Sequence, residues 1–231
     1  MAWSLPEDSV LGIFVDQPDP EDAASPLATE WGLARAAEID EAILLDTMDL
    51  WNDPATLNPG GRRVLVFAPP EAGPWFDERA PESFALQPRA EGSPGRQIQD
   101  FLAGELEEAR RVVAIVGPAP TLDPAVVVSA FVCLESKDLV IGPSTDGRVY
   151  LVGARGELPP GLDAVDWDRP DALMKLMDRL AETGLSLAVL PPWYMVETPD
   201  GLCMLAGHLR ASRRSGADPR LPRLERLCRE L

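Results

Sequence analysis

Six short apolar runs recur along this chain, and none alternates apolar with polar residues as a half-exposed strand does. They read VLGIFV (10–15), VLVFA (64–68), VVAIVG (112–117), DLVIG (138–142), VYLVG (149–153) and LSLAVLP (185–191). A strand with one face in water alternates; a run apolar on both faces needs cover above and below. The segments between the runs can supply that cover. Leu33, Ala36, Ala37, Ile39, Ile43, Leu44 and Met48 fall on or near one face of a helix predicted over 26–51, and acidic residues take the rest of its surface. Further helices are expected over 95–110, over 123–135 behind an Asp-Pro start, and over 171–183 and 199–210. This alternation predicts a three-layer α/β/α sandwich with a mainly parallel central sheet and VVAIVG in its interior. Its 231 residues can bury the core of one such domain, with 10–205 as its body and 206–231 as a basic C-terminal extension bearing a short helix.

Two stretches depart from the pattern. In GPSTDGRVYLVG (142–153) the pair Asp146-Gly147 separates two apolar runs, a hairpin signal because glycine tolerates the positive φ of a tight turn. A local antiparallel pair is expected there, with Asp146 serving chiefly the turn. Residues 69–94 are rich in proline and acids without a period, which predicts a long surface excursion bordering a site. Beyond residue 210 the charge reverses. Leu221, Leu224, Leu227, Cys228 and Leu231 fit one face of a docking helix, which would leave Arg213, Arg214, Arg220, Arg223 and Arg226 solvated.

Composition removes several function classes. A formal charge of −17 is the wrong sign for nucleic acid, whose binders need a basic face to release phosphate counterions. No apolar stretch approaches the ~18 residues of a membrane span, and the first residues lack the basic segment of a secretory signal. Cys133, Cys203 and Cys228 are odd in number and far apart, as expected of free thiols in a reducing cytoplasm. The single histidine, His208, has no zinc-spaced companion and reads as structural or surface.

Seven short motifs then occur in a telling order. FVDQPDPEDAASPL follows the first strand, Asp46-Thr47 lies on the first helix, and Gln87 leads to PGRQI. PAPTL follows the middle strand, then come GPSTDGRVYLVG, Trp167 and WYMVETPDGL. Together they resemble a bacterial glycosyltransferase-like family with the nucleotide-diphospho-sugar transferase (GT-A type) fold, some of whose members are assigned to arsenosugar biosynthesis. The resemblance covers about 10–205. It implies a donor nucleotide or nucleotide sugar over the C-terminal strand ends, basic first-loop residues on its diphosphate, and acidic residues holding a divalent cation such as Mg or Mn.

The departures bear on activity. The family's basic first-loop positions are Asp16, Ala24 and Pro26 here, and its metal-type aspartate before P-T-L is Pro118. Gln97 replaces an arginine, with Arg96 adjacent. Arg148 and Val149 replace a glycine and a tyrosine, Met195 an aspartate, and Glu197 stands for another aspartate. These changes favour a divergent member degenerate at the metal and diphosphate site, acting in binding or regulation. The alternative is an active transferase with a rebuilt site. It would bind nucleotide through Asp146, Gly147, Arg148, Thr121 and Arg96, with Asp146 and Glu197 on a metal. A different small-molecule enzyme on the same scaffold is the third reading.

Overall fold

The computed structural model describes residues 3–22, 24–54, 57–58 and 60–229. Along the chain the elements run β1 (Trp3–Ser4), β2 (Ser9–Asp16), α1 (Pro26–Trp31), α2 (Leu33–Asn52), β3 (Leu57–Asn58), β4 (Arg62–Ala68), α3 (Gly73–Arg79) and β5 (Phe84–Pro88). There follow α4 (Pro94–Leu106), β6 (Arg111–Ile115), α5 (Pro124–Cys133), β7 (Leu139–Pro143), β8 (Val149–Arg155), α6 (Ala172–Leu180), β9 (Leu187–Val189), α7 (Pro199–Arg214) and α8 (Pro222–Leu227). Seven strands form one sheet in the order β5-β4-β2-β6-β8-β7-β9, and β1 and β3 pair separately. Only β8 runs antiparallel to its neighbours, and β6, the VVAIVG strand, sits at the centre.

The two-sided apolar runs do what their composition demands. On one face Leu11, Ile13, Leu65, Phe67, Val113 and Ile115 pack beneath α2, α3 and α5, through Leu44, Met48, Phe76, Val127 and Phe131. On the other, Val10, Val64, Val66, Val112 and Ala114 pack beneath α4 and α6, through Ile98, Phe101, Leu102 and Leu176. Successive strand residues thus alternate between two buried layers, the period of an extended chain. The architecture is the expected α/β/α sandwich.

Three expectations need correction. The predicted helix over 26–51 is two helices, because Gly32 between α1 and α2 has φ 79°, a left-handed conformation that interrupts the ladder. Residues 69–94 are no structureless excursion: they contain α3 and the edge strand β5, whose one neighbour is β4. An edge strand buries less than a central one; Phe84 is buried and Ala85 exposed, so FALQP lacked the two-sided signature.

The basic C-terminal residues are also less free than expected. Arg223 pairs with Asp46 and Asp49, Arg220 with Asp53, and Arg213 with Glu225 and Asp218, while Arg214 and Arg226 are exposed. Leu221, Leu224, Leu227 and Cys228 are buried against α1, α2 and α7; Leu231 lies outside the described residues. Asp46, fully buried, accepts hydrogen bonds from the backbone N–H groups of Leu224 (2.9 Å) and Arg223 (3.3 Å) at the start of α8. It is the fastening point of the C-terminal helix. No helix among the described residues is long and apolar enough to cross a membrane.

Candidate ligand cleft

Parallel strands deliver their C-terminal ends to one edge of the sheet, and there the chain leaves a cleft of about 550 Å³. Its floor is the ends of β2 and β6, Ile13 to Asp16 and Ile115 to Ala119. Its walls come from the first loop, from Asp40 to Trp51 on α2, from Gln97 and Ile98 on α4, and from the 195–198 segment. That last segment is tied across the sheet edge. Val196 N–H donates to the Pro118 carbonyl (2.8 Å), and Thr145 N–H to that of Trp193 (2.9 Å).

The β7–β8 turn places the central charged group. Gly147 has φ 88°, and a side chain there would run into the Pro170 carbonyl oxygen. Asp146 accepts the backbone N–H of Arg148 (3.0 Å) and its Nε–H (2.9 Å), so the carboxylate does serve the turn. The Arg148 guanidinium then lies in the cleft with Nη2 2.7 Å from Asp146 and 2.5 Å from Glu197. Burial pulls the Asp146 carboxyl upward, but the Arg148 side chain and backbone N–H outweigh it and hold it below the usual carboxylate range.

Of the other expected site residues, Arg96 does not line the cleft; it pairs with Asp100 at 2.8 Å on the surface of α4. Gln97 lines the cleft instead. Thr121 faces a separate hollow, where its hydroxyl donates to Tyr194 (2.8 Å) and accepts from Trp193 Nε1 (3.3 Å). Asp146, Gly147, Arg148 and Glu197 come together; Thr121 and Arg96 stand apart from them.

Two cleft residues were missed in the sequence. Arg89, just past β5, places Nη1 3.0 Å from Asp16, donates from Nη2 to the Val15 carbonyl (3.0 Å), and lies over the Phe14 ring. Its Nε is buried without a partner, as is the Thr47 hydroxyl. Reading FALQP as a strand would have put Arg89 at a strand's C-terminal end, where α/β sites collect. Asp40 lies on the same helical stripe as Ile43 and Thr47, and an acid on an apolar stripe is itself a signal. Burial, and then the like charges of Asp22, Glu197 and Asp16, push its carboxyl up to about 6. Six carboxylates line the cleft, from Asp16, Asp19, Asp22, Asp40, Asp168 and Glu197, against the two guanidiniums of Arg89 and Arg148.

Residues 53–169 match the model of a bacterial family, DUF2064, described as an uncharacterized protein conserved in bacteria. The chain belongs to that family. No curated protein matches it. Among solved structures it is similar to a protein of Desulfovibrio desulfuricans G20 that carries a provisional nucleotide-diphospho-sugar transferase name. That likeness has 21% identity, covers 98% of each chain and has a TM-score of 0.81. It is also similar to 4-diphosphocytidyl-2C-methyl-D-erythritol synthase of Anaerococcus prevotii DSM 20548, at 11% identity over 88% of this chain and 99% of that one, TM-score 0.52. A CMP:2-keto-3-deoxy-manno-octonic acid synthetase complexed with CTP shares 10% identity over 90% and 99%, TM-score 0.50. This family member therefore has the nucleotide-diphospho-sugar transferase fold; identities this low speak to the fold alone.

Proposed function

We propose that this protein binds a small ligand in the cleft but has lost metal-dependent transfer, and acts in binding or regulation. The observation that carries this reading is Arg148. Its guanidinium bridges Asp146 and Glu197, the two carboxylates best placed to share a divalent cation. A fixed positive charge there satisfies both acids and competes directly with a metal. The residues do not fit such an ion in other respects. Pro118 and Met195 bring no carboxylate, and among the described residues no group of three or more His, Cys, Asp or Glu could hold one. With six carboxylates against two guanidiniums that are already paired, the cleft repels a diphosphate, whose lost hydration needs uncompensated positive charge. In this reading residues 1–231 work as one unit, with the C-terminal helix fastened to α2.

One observation favours the alternative of an active nucleotide-sugar transferase. Arg89 brings a guanidinium to the first loop from a different strand, with its Nε unpartnered, and could take over the role of the missing basic residues. Calorimetry with manganese and a panel of nucleotide sugars separates the two. The binding-protein reading expects no metal-dependent binding by the wild type. It expects Arg148→Gly to gain manganese affinity as Asp146 and Glu197 are released. Micromolar, manganese-dependent nucleotide-sugar binding by the wild type, weakened in Arg148→Gly, would overturn it.

A further inference from the structure

We propose that a second hollow, between the 120–124 segment and the C-terminal helices, binds an uncharged planar heteroaromatic molecule of nucleobase type beside Trp193, accepting a hydrogen bond from the His208 ring. The hollow measures about 340 Å³, room for one or two fused rings, and shares no lining residue with the cleft.

A hydrogen-bond relay prepares its donor. The indole N–H of Trp193 can only donate, and it donates to the Thr121 hydroxyl (3.3 Å). The Thr121 hydroxyl in turn donates to the Tyr194 oxygen (2.8 Å), and Tyr194 stands 2.9 Å from His208 Nδ1. Burial pushes the Tyr194 phenol up to about 12, so it keeps its proton; with Thr121 donating to its oxygen, the Tyr194 O–H is free to donate to Nδ1. In that arrangement Nδ1 accepts, and the N–H that the His208 ring offers the hollow is at Nε2. Ser212, one helical turn further along α7, also lines the hollow. Trp193, itself stacked on Tyr194, thus lines the hollow together with His208 and Ser212, an aromatic ring beside two polar side chains.

The walls are stiff and their charge is selective. Pro120, Pro124 and Pro219 have fixed φ and no N–H to satisfy, so the hollow keeps its shape without a ligand. Arg220 at the rim has φ 57°, the one non-glycine residue with positive φ among those described. Asp218 accepts its N–H at 3.0 Å, and Asp53 takes its guanidinium at 2.8 Å. Side chains adopt such backbone only where the surroundings hold them in it. With Arg220 engaged and the Asp123 and Asp218 carboxylates on the wall, a phosphate is disfavoured. The occupant is a base or nucleoside rather than a nucleotide.

The test titrates the 15N-labelled full chain with adenosine and cytidine, and separately with their 5′-monophosphates. Saturable shifts of the Trp193 indole and His208 ring signals are expected, with Thr47 and Gly117 in the cleft unmoved. The monophosphates should bind more weakly. His208→Phe and the milder His208→Gln should each weaken binding, the former by about tenfold. The proposal is overturned if neither nucleoside gives a saturable shift, if the shifts follow the cleft signals, or if folded His208→Phe binds as wild type does. Because the wild-type titration reads the two pockets separately, failure here leaves the reading of the cleft untouched.

Discussion

Replacing Asp40 with asparagine should make the protein more stable at pH 8, although the change removes a charge from a candidate ligand site. In the fold this carboxyl is half-buried in the cleft. Desolvation comes first, and then the charges of Asp22, Glu197 and Asp16; together they push it from an ordinary value of 3.8 up to about 6. The folded protein thus holds this proton more tightly than the unfolded chain does. Stability from this group is complete below pH 4 and is lost as pH rises through about 6. A displacement of roughly two pH units corresponds to a ceiling of about 3 kcal/mol at 1.36 kcal/mol each. Partial exposure and salt screening reduce that to about 1–2 kcal/mol. Urea denaturation of wild type and Asp40→Asn at pH 8 and pH 4.5, in low and high salt, measures it. The variant should gain about 1–2 kcal/mol at pH 8, and less in high salt. Its advantage should shrink to about a third of that at pH 4.5, where the folded carboxyl is protonated but the unfolded one is still largely ionised. A variant less stable than wild type at pH 8, or a gain indifferent to salt, would refute the electrostatic argument. A folded chain that retains such a cost at its sheet edge fits a site in which the charge meets a ligand.

Asp46→Ala should cost about 2–3 kcal/mol, because two backbone N–H groups of α8 lose their acceptor while Arg223 keeps Asp49 as a partner. Hydrogen exchange over 222–227 should rise with it, and a loss under about 0.5 kcal/mol would show that α8 is held without Asp46, by its leucines and its other ion pairs. Gly147→Ala should cost at least about 2 kcal/mol in thermal or urea unfolding, since it combines positive φ with overlap on the Pro170 carbonyl. An unchanged melting temperature would mean that the turn can rearrange.

Where the signal is local, the sequence was legible. Runs such as VVAIVG announce a strand buried on both faces wherever they occur, and β6 sits at the centre of the sheet accordingly. Asp146-Gly147 announced the β7–β8 turn because φ 88° at Gly147 is a requirement of the turn itself. The edge strand β5 was missed because its burial depends on which strand it joins, and the break at Gly32 because one glycine within a periodic pattern does not force a helix to end.

The site divides along the same line. Motif order brought out the resemblance to a transferase-like fold, and with it the expectation that Asp16, Pro118 and Met195 stand where that family carries basic or acidic groups. It could not reveal that Arg148 would reach both Asp146 and Glu197, since Glu197 is 49 residues away in the chain and arrives by way of the 193–198 crossing. Nor could it place Arg96 on an open helix face, or bring Arg89, past the end of β5, to Asp16 across the intervening β4. Propensity and turn chemistry act over a few residues and are written in the order of the chain. Charge pairing acts over a few ångströms, and only the folded sheet determines which distant side chains come that close.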